Sequence, residues 1–339
     1  MKTTSSTTAA GPVDSLDAGR KRIDRLHEEA KNHNTERAHA SDLAHFNAWC
    51  AAKGVVSMPA TPETVELYLE ALFSGAAPRA AGARGALKKG RWSIKTIERR
   101  RATIGVAHTK DGFGGDANPA HDRRIGRLLR DMRLRVGTAQ ARKDALLPED
   151  FRSVATTMAA HADPREARDL ALVLVGFTLA MRRSELVGID HEHLRIEPKG
   201  VRVWLPKQKN DKEAKGTWRG ASRLGGALCP VRALEAWIAW TGHATGPVFL
   251  GLDAHRIAGK RLDASEVSLA VKRMAERAGM DPDAFGGHSL RRGFVTAADR
   301  AGKSLSTIMR QTGHRTEKMV RVYTADDIDW ARNPDRGLL

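Results

Sequence analysis

The run LALVLVGFTLAM, residues 170–181, is the strongest constraint on how this chain can fold. Crossing a bilayer takes about 20 apolar residues. A stretch this short, free of charge, is suited instead to a helix buried in a protein core. Ala, Leu and Arg abound and aromatics make up only 5%, which favours helix over sheet. With 339 residues, 41% hydrophobic and 29% charged, the chain has the composition of a soluble protein that buries a core. Its length leaves room for about two domains.

Upstream, helical segments alternate with breakers. The first spans about 34–53, with Ala40, Leu43, Phe46 and Trp49 at helical spacing. TPETVELYLEALF (61–73) follows, with Thr61 as N-cap and Pro62 in the first turn. SIKTIERRRATIGVAHTKDG (93–112) opens on a capping Ser. Its Ile94, Ile97 and Ile104 share one side, while Lys95, Arg99 and Thr103 line another. In 118–137, Ile125, Leu128, Leu129 and Met132 turn inward and arginines outward. These segments make a small four-helix bundle over 31–137, behind a disordered extension of residues 1–30. MKTTSSTTAAGPVDS has a lone Lys and no apolar core, so it does not read as a signal peptide.

Residues 138–147 read as a linker, without apolar period and rich in basic residues. A second, mostly helical unit follows over 148–326, with a tail at 327–339. Its one clear β signal is GVRVWLPKQKNDKEAKGTWRG (200–220), where Val201, Val203 and Leu205 alternate before a charged turn.

The net charge of +17 is the compositional outlier. Basic residues exceed acidic ones on both sides of residue 140, as expected if both units grip one polyanion, with nucleic acid first. No lipidation motif or terminal amphipathic helix supports a membrane surface. Cys50 and Cys229 are too few for a disulfide framework and lack metal-ligand spacing. A reducing, cytoplasmic setting fits them.

Three clusters carry chemistry. LAMRRSELVGI (179–189) holds Arg182 and Glu185 at i, i+3 at the end of the apolar helix. GGHSLRRGF holds His288 and Arg291 at the same spacing. QTGHRTEKMVRVY (311–323) sets His314 nine residues before Tyr323, one of two tyrosines beside Tyr68. Taken singly each has a plain structural reading. An Arg–Glu pair at i, i+3 is ordinarily a surface ion pair worth a few tenths of a kcal/mol. A lone His or Tyr is ordinarily packing.

Taken together and in order, AMRRSEL, HSLRRGF and TGH with its following tyrosine resemble the three active-site boxes of the tyrosine recombinases, or phage integrase family. IKTIERRRATIGVAH also resembles a core-binding-domain helix of Cre-type members, so the resemblance covers roughly residues 34–326. It implies a mainly α fold with a small β-sheet: an N-terminal helical, SAM-like core-binding bundle and a C-terminal α+β catalytic domain, closing on duplex DNA as a clamp. Tyr323 is then the nucleophile that forms a 3′-phosphotyrosyl link and releases a 5′-hydroxyl. Arg182 and Arg291 clamp the non-bridging phosphate oxygens, a task that suits the guanidinium fork. His288 and His314 assist hydrogen bonding and proton movement, and Glu185 orients the cluster. The family's general acid is a lysine in a β-hairpin turn. Lys209 in KQKND matches that pattern best, with Lys207, Lys212 and Lys215 as alternatives. The linkage to tyrosine conserves the phosphodiester, so the resemblance implies neither ATP nor metal.

The resemblance further implies double-stranded DNA with short inverted-repeat sites as partner, and a homotetramer on two sites assembled through the tail, with Ile328 and Trp330 as anchors. Lys95, Arg99 and Arg100 are candidates for DNA contact, and 263–279 is a candidate groove-facing helix. Arg183 and Arg292 duplicate the expected arginines, but the i, i+3 spacings and the flanking Ser-Glu and His-Ser-Leu favour Arg182 and Arg291. Two rivals stay open: a sequence-specific DNA-binding protein of this fold that does not cut, and a type IB topoisomerase or telomere resolvase.

Overall fold

The structure, a computed structural model, describes residues 19–23, 33–77, 90–137, 143–160, 163–206, 213, 215–253 and 256–324. The chain divides into two compact units, Met1–Gln140 and Ala141–Leu339. Most of the extension at 1–30, part of the linker, Lys207, Lys209 and Lys212, and the tail with Ile328 and Trp330 lie outside the described residues.

The first unit holds α1 (His33–Lys53), α2 (Pro62–Ser74), α3 (Ile94–Lys110) and α4 (Arg123–Val136). Thr61 caps α2 by accepting from the Thr64 amide, and Ser93 caps α3 through the Thr96 amide. Phe46, Val65, Leu69, Leu72, Ile97, Ile104, Ile125, Leu129 and Met132 form the core. On α1 the buried stripe runs through Asp42, Phe46 and Cys50, and Ala40 is exposed, one step out of the expected phase.

The polar face expected on α3 needs correction. Thr103 is buried, with its hydroxyl 3.4 Å from the Asp42 carboxylate. Arg100 is only 4% exposed. It donates to the Tyr68 hydroxyl at 2.6 Å, pairs with Asp42 at 3.4 Å and lies 4.1 Å from the Trp92 ring centroid. Its guanidinium is committed to this core, against the expectation that it contacts DNA. Helical periodicity alone could not show that Asp42 of α1 faces it. Lys95 and Arg99 are exposed, and Arg99 also pairs with Asp42.

The second unit contains α5 (Pro148–Ala160), α6 (Pro164–Thr178), α7 (Arg183–Val187), β1 (Leu194–Glu197), β2 (Gly200–Leu205), β3 (Thr217–Ser222), α8 (Pro230–Thr241), β4 (Leu250–Asp253) and β5 (Arg256–Arg261). Then come α9 (Ala264–Arg277), α10 (Gly287–Arg300), α11 (Leu305–Thr312) and α12 (Glu317–Thr324). α6 is the centre, with α5, α8, α9 and α10 packed around it. Leu170 to Val175 are all buried, each large aliphatic side chain contributing about 1.5–3 kcal/mol by leaving water. α6 stops at Thr178, before the apolar run ends, so Arg182 and Glu185 open a separate short helix rather than closing this one.

The strands β1, β2 and β3 form an antiparallel sheet in that order, with Val203 opposite Arg219 and Val201 opposite Ala221. A second antiparallel ribbon, β4–β5, went unseen in the sequence. LGLD and RIAGKR lack alternation, and the register shifts between Leu250 and Leu252. Among the described residues no helix is long and apolar enough to cross a membrane.

Candidate active site

The site begins where α6 runs out. Past Thr178 the chain turns through Ala180, the one non-glycine residue at positive φ (49°) among those described. An L-residue there costs roughly 1–2 kcal/mol. The turn aims three successive carbonyls at three donors. Thr178 accepts from the Gln311 amide at 2.9 Å, Leu179 from Arg219 at 3.1 Å and Ala180 from Arg291 at 2.7 Å. These oxygens lack helical partners and stand at the negative end of the helix dipole. That explains how two guanidinium groups can be buried here.

Arg182 begins α7. The Glu185 carboxylate accepts from the Arg182 backbone N–H at 3.0 Å and from its guanidinium at 2.5 Å. Arg219 approaches the same carboxylate at 3.5 Å and donates to the Thr312 carbonyl at 3.1 Å. The neighbouring arginines go elsewhere. Arg183 donates to the Ser268 hydroxyl on α9, and Arg292 to the Lys143 carbonyl. So the first member of each Arg-Arg doublet joins this cluster, and the second ties down a flank.

Arg291 is 1% exposed and His314 6%. Arg291 lies 2.9 Å from His314 Nε2, and Thr312 Oγ1 lies 2.8 Å from His314 Nδ1. A guanidinium only donates, so Nε2 must accept and Nδ1 must carry the ring proton. Nδ1–H then donates to Thr312, whose hydroxyl donates to the Ile308 carbonyl at 2.7 Å. Desolvation, then Arg291, Arg182, Arg219 and His288, lower the His314 pKa from 6.5 to about 4. Desolvation, then Arg182 and Arg219, bring Arg291 down to about 10. Arg182, Arg219 and Arg291 against Glu185 leave two net positive charges, a match for an anion.

Tyr323 sits near the end of α12, held by the small core of Val295, Ile308 and Val320. Its hydroxyl is 3.1 Å from His288 Nε2, and its ring centroid is 5.4 Å from that of His314. His288 keeps an exposed edge. Partial desolvation, then Arg291, Arg182, Arg183 and Arg292, lower its pKa. The structure thus brings together Arg182, Glu185, His288, Arg291, His314 and Tyr323. Lys209 lies outside the described residues, and the alternative Lys215 is exposed and paired with Glu213. Lys95, Arg99 and Arg100 belong to the first unit.

Sequence reasoning missed Arg219, Thr312, Gln311 and the turn at Ala180. Arg219 did leave a signal, since it falls on the inward phase of WRGAS, where an apolar residue is expected. Among the described residues, no group of three His, Cys, Asp or Glu side chains could hold a metal ion.

The model of the phage integrase family matches residues 145–329. The chain belongs to that family. This tyrosine recombinase is 35% identical over 301 residues to an integrase/recombinase XerD homologue of Selenomonas ruminantium, across 87% of this chain and 82% of the relative. Its fold is similar to that of the XerH site-specific recombinase bound to palindromic difH substrate, with TM-score 0.60 and 15% identity over 86% of this chain and 76% of that one. It is also similar to the Tn1549 transposon integrase in complex with transposon right end DNA, with TM-score 0.60 and 14% identity over 90% and 92% of the two chains. As a member of the family, the recombinase is an enzyme of DNA strand breakage and rejoining.

Proposed function

We propose that this recombinase cleaves DNA through a covalent bond between Tyr323 and the 3′ side of the scissile phosphate. The observation that carries the reading is the Tyr323 hydroxyl, 3.1 Å from His288 Nε2 and beside a cluster with two net positive charges. The Tyr323 oxygen attacks phosphorus, the bond to the 5′ oxygen breaks, and a 5′-hydroxyl leaves. His288, neutral at pH 7 because its pKa is lowered, accepts the phenolic proton. Arg182 and Arg291 stabilise charge growing on the non-bridging oxygens. His314 holds Arg291, and Glu185 holds Arg182. Lys209 gives the proton to the departing 5′ oxygen. Attack by a 5′-hydroxyl from another strand reverses these bonds, so the cycle consumes neither ATP nor metal.

The fuller reading is recombination between two short inverted-repeat sites by four copies, with residues 327–339 joining protomers. It is cytoplasmic work, at the DNA. Lys95 and Arg99 meet phosphates.

The test is a duplex nicked beside the cleavage point, built on the site that the protein selects from a random library. Wild type is expected to form a protein–DNA adduct on denaturing gels and Tyr323→Phe none. Tight binding without an adduct from wild type overturns the reading in favour of a silent binder. Relaxation without any recombinant product from two sites favours a topoisomerase-like enzyme.

A further inference from the structure

Arg219 is a charged residue where the strand pattern calls for an apolar one. In β3 the burial alternates, with Trp218, Gly220 and Ser222 facing out and Arg219 and Ala221 facing in. Across the sheet, position 219 stands opposite Val203. The residue is 2% exposed, and burial lowers its pKa, with Glu185 opposing that shift and Arg182 adding to it. A buried charge is tolerated only where partners are supplied. Here they come from three separate segments: the Leu179 carbonyl past α6, the Glu185 carboxylate in α7, and the Thr312 carbonyl closing α11.

Each contact bears on a different part of the site. Glu185 grips Arg182. Thr312 fixes the ring proton of His314 through its hydroxyl while its carbonyl is held by Arg219. In the sequence, Lys209 precedes β3. Arg219 therefore joins the strand that follows Lys209 to both the arginine and the histidine motifs.

We propose that Arg219 is a positioning residue of the strand-cleavage site, setting Arg182 through Glu185 and His314 through Thr312. The proposal rests on the recombinase reading for its catalytic consequence, but its geometric content concerns His314 in the free protein. The groups facing His314 are Arg182 from the α7 end, Arg219 from β3, His288 and Arg291 from α10, and Tyr323 from α12, while Glu185 acts on Arg291.

The experiment compares R219M and R219K with wild type in two readouts. Histidine-ring NMR of the free protein follows the protonation and tautomer of His314. The nicked library-selected duplex described above gives binding and the rate of adduct formation. R219M removes the positive charge, so the His314 midpoint is expected to move upward, by about half a unit or more. Adduct formation is expected to fall about 10–100-fold, with DNA affinity unchanged. R219K keeps the charge but not the fork, so His314 titrates near its wild-type midpoint while adduct formation still falls.

An R219M protein with the wild-type His314 midpoint and adduct rate overturns the proposal, as does an R219K protein that cleaves like wild type. If R219M does not fold, R219K decides through its adduct rate. If wild type forms no adduct, the recombinase reading fails, and the NMR comparison still decides whether Arg219 sets His314.

Discussion

Tyr323 and His288 meet at 3.1 Å within one chain, the hydroxyl from α12 and the ring from α10. The two helices share the core of Val295, Ile308 and Val320, and the contact follows from that packing. Tyr323 also lies close enough to Arg291 of the same chain to act on it electrostatically.

If His288 takes the phenolic proton, His288→Ala should lower the rate of adduct formation by about 100-fold or more while leaving DNA affinity intact. Single-turnover cleavage of the nicked duplex measures it. An unchanged rate removes His288 from the proton path.

Arg291→Ala takes a donor from Ala180 and His314, and under the proposed mechanism from the phosphate as well. Cleavage is expected to fall by about 100- to 1000-fold, the usual loss for one transition-state donor, with binding retained. Binding and cleavage lost together would mark Arg291 as a purely structural residue.

His314 ties stability to pH. Its folded pKa is lowered from 6.5 to about 4 by desolvation and then by Arg291, Arg182, Arg219 and His288. Between those values the unfolded chain binds a proton there and the folded chain does not, so acid favours unfolding. The contribution is fully present above the unfolded pKa and is lost as pH falls toward the folded one. Its slope is at most about 1.4 kcal/mol per pH unit. His288 is shifted the same way. Urea midpoints should fall across this window for wild type and less for His314→Gln; equal slopes would remove His314 as the cause.

Gly293 in HSLRRGF is a packing requirement. A Cβ there would stand 2.0 Å from the Leu146 carbonyl oxygen, a backbone atom that cannot rotate away. Gly293→Ala should destabilise the protein by about 1–3 kcal/mol through overpacking, read from urea denaturation. Wild-type stability in this variant would mean that the backbone of 146 yields.

The charge of +17 implies phosphate-dominated binding. Affinity for the selected duplex should fall by about three orders of magnitude between roughly 50 and 200 mM salt. Fluorescence anisotropy measures this, and a flat response would contradict the phosphate contacts.

The sequence by itself determined the four helices of the first unit and the buried helix α6, because caps such as Thr61 and Ser93 and the apolar period are local properties. It also carried the family, because AMRRSEL, HSLRRGF and TGH with Tyr323 are contiguous words. The i, i+3 spacings and the flanking Ser-Glu and His-Ser-Leu already favoured Arg182 and Arg291 within each doublet. Tertiary structure alone decided where the second arginines go, Arg183 to Ser268 and Arg292 to the Lys143 carbonyl. It alone moved Arg100 from a solvated face into the pocket of Asp42, Tyr68 and Trp92, and it alone revealed Arg219. A side chain's periodicity is written in its neighbours along the chain, but the partner that makes a buried charge tolerable comes from a distant segment, and only folding brings the two together.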